Sequence, residues 1–399
     1  MIEQTTRYPK WVDKVQTSPT AKLEELVETL QSQGKKLDRL GLGEPDFDTP
    51  DYVKKAAKEA IDHNFSRYTA TGGILPLRRA IVSKIKHLTG VEYDPNEILV
   101  SVGGKHSIFN AIAALCQEGD EVLIPVPYWV SFPEQVRFIG AVPIFIESKQ
   151  ENGYKITAEE LSDYVTSKTK LLILNSPNNP SGAVYHSDEL ESIANFCIQN
   201  DIWVISDEVY SAFNFTKEGH QSIASIPRMR ERTIIINSMS KTYSMTGWRI
   251  GYSASPMNIA ETMLRLQSHT TSNPTSIAQK AALAALTGPD VITPIKHAYA
   301  QRRKFLVDGV NRIKGLACSL PDGAFYVWTN ISELIGENIA GTEIKNADDL
   351  ANVLLEEKQI VVMPGTGFGM PNHIRLSFSA PLNEIESGLK KMEQLLGYK

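Results

Sequence analysis

Cysteine is scarce in this 399-residue chain: Cys116, Cys197 and Cys318 are odd in number and widely spaced. Such a set excludes a disulfide framework and lacks the close spacing of a zinc site. It suits buried free thiols in a reducing compartment. No apolar stretch reaches the roughly 18 residues of a membrane-spanning helix, and residues 1–10 hold no apolar run of the secretory type, so the expected compartment is the cytoplasm. Charge of one sign is also missing. Lys and Arg number 41 against 46 Asp and Glu, a formal net charge of -5 with no long basic run. That balance leaves no electrostatic footprint for nucleic acid or an anionic membrane and points to small metabolites as partners. Repeats and low-complexity linkers are absent too. What remains is ordinary globular material, 42% hydrophobic and 22% charged, long enough for a large domain and a smaller one.

Short β-branched runs at 97–100, 121–124, 142–146, 171–174, 202–205 and 234–236 alternate with helix-period segments such as 107–116, 187–199 and 276–286. This alternation predicts an α/β fold, a mostly parallel sheet covered by helices on both faces, with every strand's carboxyl end on one edge. Past Gly288 a long polar-faced helix over about 290–314 precedes strand-like 324–328 and 374–378, which predicts a smaller α+β domain. The expected division is a large domain over 50–295 and a small one from 1–49 and 296–399, the first fifty residues folding back onto the latter.

Lys241 carries the chemistry. It follows the buried-strand pattern 233–237, stands among Ser238, Ser240, Thr242 and Ser244, and has Arg249 eight residues on. A lysine amine forms a Schiff base with the aldehyde of pyridoxal 5'-phosphate, while hydroxyls and a guanidinium neutralise a phosphate dianion. A solvated lysine in a Ser/Thr-rich loop is the bland alternative. Asp207, after the strand at 202–205, emerges at the same edge and could hold the cofactor's ring nitrogen protonated; alternatively it caps a helix. Tyr210, three residues on, could donate to the cofactor's phenolic oxygen, and so could Asn179, in a loop fixed by Pro177, Pro180 and Gly182.

Gly103 and Gly104 sit between a strand and a helix, where backbone N–H groups face an anion; an ordinary tight turn would use them equally well. Lys105 beside them is a second anion contact or a solvated side chain. Trp129, on a proline-stiffened loop, offers a plane to stack on the pyridine ring or a core side chain. Arg375 lies in an apolar strand pattern and needs a carboxylate, either a substrate α-carboxylate or a structural Asp or Glu. The cluster Gly365, Gly367, Gly369 fails as a dinucleotide fingerprint because Pro371 and a strand follow it instead of a helix. It reads as a loop lining the small-domain side of a cleft.

Together these residues, in order and spacing from Gly41–Pro50 through Tyr68 to Arg375, resemble the class I aminotransferases of the fold-type I pyridoxal-phosphate enzymes, and look most like the bacterial aspartate aminotransferase branch. The resemblance implies Lys241 as the Schiff-base lysine and proton shuttle, Asp207 on the ring nitrogen, Asn179 and Tyr210 on the phenolic oxygen, and Trp129 on the ring face. It implies Gly103, Gly104, Ser238, Ser240 and Arg249 on the phosphate, joined by Tyr68 from a neighbouring subunit, hence a homodimer with shared sites. Gly43 and Arg375 would contact the substrate carboxylate, with Trp129 and Asn179 beside it, and Lys105 would face a distal carboxylate. The implied reaction is a ping-pong exchange of an amino group between L-aspartate and 2-oxoglutarate. The residues 15–20 offer only small polar groups where prephenate users of the branch carry a basic one. Aromatic amino acids, or prephenate, are the alternative substrates.

Overall fold

The computed structural model describes residues 15–399, so residues 1–10, on which the compartment expectation leans, lie outside the described residues. Seven strands form the main sheet: Ile98–Ser101 (β1), Glu121–Val126 (β2), Val142–Glu147 (β3), Thr169–Asn175 (β4), Trp203–Asp207 (β5), Thr233–Ser238 (β6) and Gly251–Ala254 (β7), in the spatial order β1-β7-β6-β5-β4-β2-β3. The pairs β6-β5, β5-β4, β4-β2 and β2-β3 are parallel. Period-two alternation explains how one apolar run serves both faces. Ile235 packs with Val100, Met239 and Tyr252 on one side, while Ile234 and Ile236 pack with Leu99, Ile124 and Ile205 on the other. Each such burial stabilises by about 1.5–3 kcal/mol.

One strand departs from expectation. β7 runs antiparallel to both β1 and β6, so not every strand presents its carboxyl end at one edge; β7 places Gly251 between Ser101 and Ser238 there. Four residues beginning with glycine carry little strand signal. The glycine has a packing reason, since a Cβ on Gly251 would run into the backbone of Gly103 and Gly104.

A second core surrounds a three-stranded antiparallel sheet of Tyr326–Asn330 (β8), Met363–Pro364 (β9) and His373–Ser377 (β10), in the order β9-β10-β8. Tyr299, Leu306, Phe325, Leu350 and Phe378 meet there with Leu40 from the N-terminal part and Tyr210 and Phe213 from beyond β5. The helix expected over 290–314 spans Ile292–Val310. It begins where Asp290 accepts the N–H groups of Ile292 and Thr293, and ends before Asn311, which turns to bond the Cys318 backbone. In the N-terminal part, Asp38–Arg39 pairs in parallel with Ile360–Val361. All three cysteines are free, and burial pushes each thiol up to about 12, which makes them poor nucleophiles. Among the described residues no helix is long and apolar enough to cross a membrane, and no His, Cys, Asp and Glu cluster is placed to hold a metal.

Candidate active site

The carboxyl ends of β4, β5 and β6 are Asn175, Asp207 and Ser238, and a cleft of about 440 Å³ opens against all three. Twelve residues singled out from the sequence line it: Gly43, Gly104, Lys105, Trp129, Asn179, Asp207, Tyr210, Ser238, Ser240, Lys241, Arg249 and Arg375. Gly103 and Tyr68 do not.

Lys241 sits in the short helix Met239–Thr242, which Ser238 caps by accepting the Ser240 N–H at 3.3 Å. Its Nζ donates to the Gly43 carbonyl at 2.5 Å. Burial, opposed by Glu44 but reinforced by Arg375 and Arg249, brings its ammonium down to about 8. More of it is therefore a free, nucleophilic amine at neutral pH than for a solvated lysine.

Asp207, the last residue of β5, is buried and accepts the Val209 N–H at 3.2 Å, with no cation among its partners in the described residues. Burial pushes its carboxyl up to about 7, the Val209 bond opposing and the Glu208 charge adding to the rise. It is a buried acid short of a positive partner. Asn175 ties the next loop to this strand: its Nδ2 donates to the Asp207 carbonyl at 3.0 Å, and its Oδ1 accepts the Asn179 N–H at 2.8 Å. Tyr210 shares a 2.7 Å hydrogen bond with the Tyr326 hydroxyl from the second core.

Arg375, 2% exposed, has among the described residues no structural carboxylate of the kind left open as one of its two expected partners. Its Nη1 donates to Asn179 Oδ1 and its Nη2 to the Gly41 carbonyl, both at 2.8 Å, while Nε is unpartnered. The guanidinium lies 4.2 Å from the Tyr326 ring centre and 5.1 Å from that of Phe368. A buried cation held only by neutral groups and opening on a cleft is a receptor for an anion.

Gly103 serves the site indirectly. Its φ of +80° suits glycine, and a Cβ there would collide with the Arg249 guanidinium. Arg249 is thereby admitted to the N-terminus of the helix Gly104–Leu115, whose first N–H groups have no partner within the helix. Trp129 meets Phe132 edge-on at 5.5 Å and has the Lys105 Nζ 5.1 Å from its ring centre. Burial and Arg249 lower the Lys105 ammonium, against the pull of Glu24. Tyr68 is 91% exposed, away from this cleft. The glycine cluster does not line the cleft as expected: Phe368 is buried against Val130, Trp328 and Met363, a Cβ on Gly365 would meet the Met370 and His373 backbone, and Met363 alone of this group reaches the cleft.

Comparison with known proteins agrees with this geometry, for the family model described as aminotransferase class I and II matches residues 35–391. The chain belongs to the class I and II aminotransferases. It is 40% identical to an aspartate aminotransferase of Geobacillus stearothermophilus, over 97% of this chain and 98% of that one. It is 39% identical to an aspartate/prephenate aminotransferase of Nitrosomonas europaea, over 96% and 98% of the two chains. A solved aspartate aminotransferase from Rhizobium meliloti superposes with a TM-score of 0.93 at 34% identity, over 98% of this chain and 99% of that one. The helix-covered mixed sheet is the fold-type I arrangement expected. Ser18 and Thr20 of the small polar stretch 15–20 line the cleft, and this aminotransferase also brings there residues given no role from the sequence, among them Glu24, Glu44, Asn175, Tyr326 and Met363. Of these only Asn175, an amide ending an apolar strand, had a local signal.

Proposed function

We propose that this aminotransferase moves the amino group of L-aspartate to 2-oxoglutarate with pyridoxal 5'-phosphate, as a cytoplasmic homodimer with shared sites. The observation that carries the reading is Arg375, a buried cation without a counter-ion, facing the same cleft as the amine of Lys241. The donor set fits the cofactor: Asp207 is a buried carboxyl without a cation, and Gly103 makes room for Arg249 at a helix N-terminus. Ser238, Ser240, Gly104 and Arg249 would hold the phosphate, Asp207 the ring nitrogen, and Tyr210 and Asn179 the phenolic oxygen. With Asn179 Oδ1 committed to Arg375, its Nδ2 is the atom left to donate. Trp129 would cover the ring face.

When bound, the cofactor supplies an aldehyde for Lys241 and a ring that takes up the electron pair left by the departing α-proton. Arg375 binds the substrate's α-carboxylate and fixes which bond stands across the ring, with Gly43 closing over it. The Lys241 amine would take up and return the proton of the substrate α-carbon. Asp207 would hold the ring nitrogen in its protonated form. The first 2-oxo acid leaves before the second enters, which makes the exchange ping-pong.

The names of the relatives and the presence of Lys105 at the cleft support a dicarboxylic donor. The apolar wall of Ile108, Trp129, Val209 and Met363 supports the runner-up, an aromatic amino acid or prephenate. A tyrosine as exposed as Tyr68 suits contact with a second subunit, and the two cores suit a large domain over 50–295 with a small one from 1–49 and 296–399. The test is a half-reaction screen in which cofactor-loaded protein meets one amino acid at a time. Aspartate and glutamate should each yield about one equivalent of 2-oxo acid per subunit; none from any amino acid ends the proposal.

A further inference from the structure

Four cations, Lys105, Lys241, Arg249 and Arg375, line the cleft against three carboxylates, Glu24, Glu44 and Asp207. The proposed function, on which the role assigned to Glu24 rests, commits most of them. Lys241 bonds the cofactor, Arg249 and Asp207 meet its phosphate and ring nitrogen, and Arg375 takes the α-carboxylate. One cation is left, Lys105, with two carboxylates. Glu44 adjoins Gly43, the Lys241 partner. Glu24 belongs to the helix Pro19–Ser32, where Thr20, Ala21 and Glu24 turn one face to the cleft.

We propose that Glu24 sets the side-chain specificity of this aminotransferase: its carboxylate competes with a substrate's distal carboxylate for Lys105, so the cleft penalises dicarboxylic substrates relative to uncharged ones. Glu24 and Lys105 line the same cleft. Burial raises the Glu24 carboxyl and Glu44 raises it further, while Lys241 and Lys105 draw it back. A dicarboxylate that reaches Lys105 brings its distal carboxylate into the cleft that Glu24 also lines, and the two like charges repel. An aromatic or aliphatic side chain avoids that repulsion and lies along Ile108, Trp129 and Val209. Glu24 thereby broadens the substrate range toward uncharged donors without touching the reacting atoms.

The test compares wild type, Glu24→Gln and Glu24→Ala as cofactor-loaded enzymes, titrated calorimetrically with succinate and with 3-phenylpropionate. Both variants should bind succinate roughly three- to fivefold more tightly, the scale of a partly exposed ion pair, with 3-phenylpropionate unchanged. The ratio of kcat/KM for aspartate over phenylalanine should rise by the same factor. Glu28→Gln, one turn along the helix and off the cleft lining, should change neither. An unmoved succinate affinity, or equal change for both ligands, overturns the role of Glu24. A wild-type enzyme that transaminates no amino acid is a different failure, that of the functional reading.

Discussion

Replacing Arg375 by lysine isolates what the guanidinium contributes. The side chain is 2% exposed and held by two neutral acceptors, Asn179 and Gly41, with Nε unpartnered and two aromatic rings against its plane. Lysine keeps the charge but cannot form the forked pair of bonds to a carboxylate. The loss of one charge-assisted hydrogen bond amounts to about 1.5–3 kcal/mol. At about 1.4 kcal/mol per factor of ten this raises KM roughly 10- to 150-fold. Because the α-carboxylate is common to all amino acids, aspartate, glutamate and phenylalanine should suffer the same factor. Steady-state kinetics with each donor measures it, and thermal melting of the cofactor-loaded enzyme shows whether the fold has suffered. An increase confined to aspartate and glutamate would mean that Arg375 reads the side chain. Unchanged KM with a fall in melting temperature would make it a structural group.

Other consequences concern the remaining buried charges and the assembly. In the cofactor-free protein Asp207 titrates at about 7 instead of 3.8, so between these values the folded state holds a proton that the unfolded chain has released. Its contribution to stability is therefore present below about pH 4 and lost as pH rises through 7; Asp207→Asn should flatten that fall in urea unfolding at pH 4.5 and 7, and an unaltered pH slope refutes it. The same substitution should weaken cofactor retention about 10- to 100-fold, read by fluorescence titration, because a neutral amide cannot pair with a protonated ring nitrogen. Lys241→Ala should abolish turnover, and Tyr68→Ala should impair it. Refolding the two variants together should recover roughly a quarter of wild-type activity, since half the dimers are hybrids with one intact site each; no recovery means that the sites are not shared.

The strands of the large sheet were legible because buried parallel strands need unbroken β-branched runs, and 234–236 is such a run. Gly251–Ala254 escaped because it is short and its opening glycine answers to a collision with Gly103 and Gly104 that only the folded chain creates. Lys241, Asp207 and Asn179 could be found by a local rule, a reactive side chain just past a strand that points at the open edge of the sheet. Glu24 obeyed no such rule. On a solvated helix it looks like its neighbours Glu25 and Glu28, and only tertiary placement brings it to the cleft. Tyr326 was hidden in the same way, since its hydroxyl meets Tyr210 across 116 positions of sequence.

The contrast between two adjacent acids shows how the fold separates structural from functional charge. Asp207 ends the strand at the cleft, while Glu208, the next residue, stays off the cleft lining. There Glu208 is buried but complete: it accepts hydrogen bonds from Ser206 at 2.9 Å and Ser222 at 2.6 Å, and pairs with the buried His220 at 2.7 Å. Among the described residues Asp207 has one backbone N–H and no cation, and Arg375 has two neutral acceptors and no anion. An unpaired buried charge costs several kcal/mol, so a chain that satisfies Glu208 through two hydroxyls and an imidazole could have done the same for its neighbour. It leaves Asp207 and Arg375 short of opposite charges along one cleft. The deficit at each matches a group of the proposed cofactor and substrate: a protonated ring nitrogen would complete the acid and a carboxylate the arginine, and binding them would remove the cost.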